Sequence, residues 1–79
     1  MAKVHHLKII PEYSDAIRRG AKTFEIRKND RGYEVGDELI LKEYENESFT
    51  GNLLKAVVTY ITDYAQQKGY VVMAIELTD

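Results

Sequence analysis

Pro11 and Gly20 bracket the one stretch of this chain with helical apolar spacing, and that bracket limits what the rest can build. Proline is best tolerated in the first turn of a helix, and Glu12 follows it at the positive end of the helix dipole. Tyr13, Ala16 and Ile17 fall at i, i+3 and i+4 and form an apolar stripe. Arg18 and Arg19 close the last turn, where cations are favoured, and Gly20 supplies the left-handed cap. The pattern predicts a short helix of about ten residues. The other apolar segments are short and alternating, the period of strands, at Val4–Ile10, Lys22–Lys28, Glu38–Tyr44, Leu53–Thr62 and Tyr70–Leu77. Turn clusters separate them at Asn29–Gly32 and Val35–Asp37, with polar loops at Glu45–Asn52 and Asp63–Gly69. Five strands, with the helix between the first two, argue for an α+β, mostly-β domain, a small barrel or curled sheet spanning 1–79.

Composition narrows the chemistry. The chain has no cysteine, which excludes disulfides, thiolate zinc sites and cysteine nucleophiles. The N-terminal residues lack the apolar core of a signal peptide, and no apolar run is long enough to span a bilayer, so a cytoplasmic protein is expected. The formal charge of −2 conceals an asymmetry: of eleven Lys and Arg and thirteen Asp and Glu, eight and four respectively precede residue 33. A basic patch can therefore coexist with an acidic remainder, and local charge is what steers an anionic partner.

The second strand concentrates the polar chemistry. Phe24 and Ile26 share one parity and are expected in the core, together with Leu39, Leu41, Val58, Ile61 and Ile75. Thr23, Glu25 and Arg27 share the other, so the Glu25 and Arg27 tips can meet. Lys22 stands at the entrance on the opposite parity from Glu25, and both reach one cleft only if the strand start bends. His5 and His6 are adjacent on a strand and face opposite sides, so they cannot easily share an ion; neither metal nor cofactor is expected. His5 is expected near the cleft, hydrogen-bonded, and His6 on an exposed face. Arg18, Arg19, Lys28 and Arg31 are candidates for an anion-binding rim. Tyr33 and Tyr70, which border loops, are the first candidates for stacking on bases.

Gly20, Lys22, Glu25 and Arg27 reproduce G-x-K-x-x-E-x-R, the signature of ASCH domains, which share the PUA-like β-barrel. With His5-His6-Leu7-Lys8-Ile9, Pro11-Glu12-Tyr13, Val35-Gly36-Asp37 and Gly69-Tyr70-Val71-Val72, nearly the whole chain resembles DUF3850, a small stand-alone ASCH-related family found in bacteria and phages. The resemblance implies a PUA-like barrel and a non-catalytic module that binds RNA or a nucleotide-like ligand through Lys22, Glu25 and Arg27. A net anionic chain is ill-suited to non-specific duplex binding, which points instead to single strands, loops or modified bases.

The alternative is a small amidohydrolase. Some ASCH relatives resemble an enzyme acting on acetylcytidine through a lysine, a threonine and a glutamate. Lys22 matches the lysine and Glu76 is a candidate acid, but Glu25 stands where the threonine is expected. A carboxylate does not replace a hydroxyl nucleophile, so Glu25 would have to activate water. A monomer is the default expectation for either reading.

Overall fold

The computed structural model describes residues 2–78. β1 (Val4–Ile9) leads into α1 (Pro11–Arg18), followed by β2 (Phe24–Lys28), β3 (Glu38–Glu45), β4 (Ser48–Thr62) and β5 (Tyr70–Leu77). The strands form one sheet in the order β1-β3-β4-β5-β2, curled into a half-barrel. β1 pairs in parallel with β3, and every other pairing is antiparallel. β1 and β2 are therefore the two free edges of the sheet. Among the described residues no helix is long and apolar enough to cross a membrane.

The core is built from alternate residues of the curled face. Leu7 and Ile9, Leu39 and Leu41, Ala56 and Val58, and Val71, Met73 and Ile75 pack with Ile17 of the helix and Tyr33. Strand periodicity dictates this set, since successive side chains leave a sheet on opposite faces. The helix covers the core through Ser14 and Ile17. Tyr13 of the expected stripe is exposed instead, because the helix turns its serine inward to a buried carboxylate.

The helix ends in a Schellman arrangement: Gly20 N–H donates to Ile17 O, and Ala21 N–H to Ala16 O. Gly20 takes φ +80°, which a side chain would resist. The Lys22 N–H also donates to Ala16 O, so Lys22 is tied to the helix end and β2 starts only at Phe24. That bend removes the parity conflict between Lys22 and Glu25.

Two expectations fail here. The polar segment Glu45–Asn52 is a two-residue turn, not a long loop: Asn46 and Glu47 both have positive φ (52° and 64°), the signature of a type I′ hairpin turn. β4 begins at Ser48, and its first residues form an exposed ribbon beyond the core, so their polar composition masks a strand. The second failure is at β2. Phe24 and Ile26 are 40% and 50% exposed, whereas Glu25 between them is 3% exposed and pairs with core Met73. Alternation identified the two faces of β2 but assigned them the wrong way round.

Candidate functional site

The edges of β1 and β2 face each other where the half-barrel is open, and the G-x-K-x-x-E-x-R residues close on that seam. Lys22 Nζ donates to Glu25 Oε1 at 2.6 Å, and Arg27 Nε donates to Glu25 Oε2 at 2.9 Å. Each carboxylate oxygen thus holds one cation. Lys22 Nζ also donates to Phe24 O at 2.6 Å, while Arg27 Nη2 crosses the seam to Lys8 O at 2.6 Å. The Lys22 ammonium lies 4.8 Å from the centre of the Phe24 ring and 5.2 Å from that of Tyr13, within cation–π range.

These groups line an open cleft of about 450 Å³. Its polar floor is Lys22, Glu25 and Arg27; Phe24, Ile26, Ile10, Tyr13 and Tyr70 supply apolar and aromatic wall, and Lys28 stands at the margin. The exposed Phe24 and Ile26 are therefore cleft lining and not core. A carboxylate as buried as Glu25 would be costly alone; here Lys22 and Arg27 each give it a charge-assisted hydrogen bond. Such buried ion clusters contribute little net stability, and apolar replacements of similar volume are often as stable or more so. The fold gains little from the cluster, which directs attention to what the cluster can bind.

His5 and Tyr33 lie elsewhere. His5 is buried, its Nε2 is 2.8 Å from Asp37 Oδ2, and its ring meets Tyr33 edge-on at 4.7 Å between centroids. Tyr33, 6% exposed, presents no open ring face to a base. Burial raises the Tyr33 phenol above its ordinary pKa, against the opposing fields of Arg31 and Arg27. Tyr33 is corrected from a stacking candidate to a core support; the hydrogen bond expected of His5 is present, but its partner is buried Asp37 and it lies away from the cleft, on the same parity as Leu7 and Ile9. Arg31 lines a separate hollow, where its Nη1 donates to His6 O at 3.2 Å. Glu76 is exposed and lines yet another depression, reached by Lys22 but not by Glu25 or Arg27.

Two buried carboxylates escaped the sequence reading as site-forming groups. Asp37 accepts from Lys3 N–H, Glu34 N–H and His5. Burial pushes its carboxyl up, but those hydrogen bonds and the Lys3 charge outweigh it and hold the group at about 2. Glu43 accepts from Ser14 Oγ at 2.5 Å, Asn52 Nδ2 at 3.1 Å and Thr50 Oγ1 at 2.8 Å. Those donors, Ser14 first, keep its carboxyl below the ordinary glutamate value. Its inward parity with Leu39 and Leu41 was the available signal.

A family model described as "Domain of unknown function (DUF3850)" matches residues 4–75, which takes in the helix, β1 to β4 and all but the last two residues of β5. The chain belongs to the DUF3850 family. The chain is also similar to an "Uncharacterized 12.9 kDa protein in GpA 3'region" of Escherichia phage P2, at 46% identity over 63 residues. That match takes in 80% of this chain but only 58% of the phage protein, so the chain spans less than two thirds of its relative's length. The DUF3850 match includes Lys22, Glu25 and Arg27 as well as the edge strands they bridge.

Proposed function

We propose that this DUF3850 chain is a PUA-like domain of the ASCH type that binds RNA, or a nucleotide-like ligand, in the cleft between its free sheet edges. The observation that carries this reading is the clamped carboxylate: Glu25 sits on the floor of an apolar-walled cleft with one cation on each oxygen. An aromatic base fits between walls such as Phe24, Ile26 and Tyr70, where stacking on exposed rings contributes about 1–3 kcal/mol per base. A carboxylate has further acceptor capacity on each oxygen, so Glu25 can accept from a base amino group while Lys22 and Arg27 hold it in place. Lys22 and Arg27 carry donors for carbonyl oxygens on the same base edge.

The amidohydrolase reading has less support. Its candidate acid, Glu76, lines a different depression, and Lys22 is engaged with Glu25 and the Phe24 carbonyl. One set of titrations addresses both readings. Single-stranded RNA oligonucleotides and free nucleosides are titrated against wild type, Lys22→Ala and Glu25→Gln, with acetylcytidine incubated in parallel and acetate measured. Salt-sensitive binding by wild type that falls at least tenfold in both variants is the expected outcome. Equal affinities across the three proteins would remove the binding reading, and acetate release dependent on Lys22 would install the hydrolase in its place.

A further inference from the structure

Beside the cleft, across the Arg27–Lys8 bridge, lies a second hollow of about 400 Å³ with a different character. Its charged and polar side chains are His6, Lys8, Arg27, Arg31 and Lys42, its aromatic wall is Phe49, and among the described residues no carboxylate lines it. In a chain with more acids than bases this is a concentration of one sign. Lys8 and Lys42 stand directly opposite each other on the parallel pair β1 and β3. Like charges in register on neighbouring strands destabilise a sheet. Among the described residues neither lysine has a carboxylate within 4.0 Å; the attraction recorded for Lys8 is to the Tyr44 ring, 4.3 Å from its centre. Arg31 and Arg27 point into the same seam, each held by a carbonyl of β1. An unneutralised cation pair beside two pre-positioned guanidinium groups is the arrangement that a multivalent oxyanion would relieve.

We infer that this hollow holds a phosphate group, that of the ligand whose base occupies the adjoining cleft. Lys8 and Arg27 line both spaces and mark the boundary between base and phosphate. The attachment to a base rests on the nucleotide reading of the cleft; the anion site itself does not. The two sites also divide the chemistry sensibly. Glu25 would repel a phosphate in the cleft, whereas among the described residues no acid lines the second hollow.

The test uses the full chain, the four common nucleosides, their 5′- and 3′-monophosphates, and inorganic phosphate. At least one monophosphate is expected to bind about tenfold or more tightly than its nucleoside, the increment of one charge-assisted contact. Lys42→Gln, which changes the hollow but no residue lining the cleft, is expected to lose that increment and keep nucleoside binding. Its melting temperature without phosphate should equal or exceed that of wild type, since a like-charge pair has been removed, and inorganic phosphate should raise the melting temperature of wild type alone. Monophosphates that bind no better than nucleosides, an increment that survives Lys42→Gln, or equal phosphate stabilisation of both proteins would overturn the inference. Phosphate and monophosphate binding lost in Lys42→Gln, with nucleosides inert in both proteins, would keep the anion site and defeat the base-binding cleft instead.

Discussion

Glu25 and Glu43 are both buried glutamates on the inward face of a strand, yet their surroundings are opposite in kind. Glu43 is met by neutral donors, two hydroxyls and an amide, that tie α1 to the β3–β4 hairpin. Glu25 is met by two cations at the open seam. Hydroxyls can rotate to donate or accept, so the Glu43 site adapts to a change in its acceptor. Ammonium and guanidinium groups only donate, so the Glu25 site has one satisfactory occupant. The difference teaches where a buried carboxylate is held by groups that can rearrange around it and where it is held by fixed cations lining an open cleft.

The largest expected effect follows from that contrast. Glu25→Gln leaves Lys22 and Arg27 beside a neutral amide, with a stability loss of roughly 2–3 kcal/mol, about the cost of unpairing a partly buried charge. Glu43→Gln should lose less, because Ser14 and Thr50 can turn to accept from the new amide. Urea unfolding of the two variants measures the gap; a Glu43→Gln loss equal to or above that of Glu25→Gln would break the comparison.

Acid should act through Glu43 and Asp37. The folded Glu43 and Asp37 carboxyls both lie below their ordinary values of 4.5 and 3.8, Asp37 at about 2. Groups depressed in the folded state add stability that is complete above the unfolded pKa and is lost as pH falls through the folded one. Stability is therefore expected to fall progressively from near pH 4.5 towards pH 2. Glu43→Gln should flatten the upper part of that decline. An unchanged profile in the variant would mean that Glu43 is not among the groups responsible.

Lys22→Ala removes one of two cations and should cost about 1 kcal/mol, since Arg27 still holds Glu25. Its main consequence is expected in binding. Smallest of all should be the stability loss in Phe24→Ser or Ile26→Ser, under about 1 kcal/mol each, because neither side chain is buried. Loss of some 3–5 kcal/mol, the cost of truncating a core aromatic, would return Phe24 to the core.

How far the sequence could be read depended on whether one physical rule acted alone. The helix bounds, the strand at Tyr70–Leu77 and the burial of Leu39, Leu41, Val58 and Ile75 follow from capping and period-two alternation, and the structure has them. Ile61 is partly buried against the same core. The meeting of Glu25 and Arg27 tips was legible from strand spacing. Alternation at Phe24–Arg27, however, does not state which face is inside, and hydrophobicity points the wrong way once a carboxylate is neutralised by two cations. The Ser48–Asn52 strand looked like loop because a solvated ribbon has loop composition. His5 follows the inward parity of Leu7 and Ile9, but its partner Asp37, like the Tyr33 ring packed against it, lies about thirty residues away in sequence. Local pattern carries no information about such pairings.

The most direct measurement of the central claim is an amide NMR titration of the chain with a pool of short random-sequence single-stranded RNAs. Shifts concentrated at Tyr13, Lys22–Lys28 and Tyr70, and abolished in Glu25→Gln while the folded spectrum persists, are the predicted result. Shifts centred on the exposed Tyr60 and Tyr64 of the β4–β5 hairpin, or unchanged in Glu25→Gln, would contradict it.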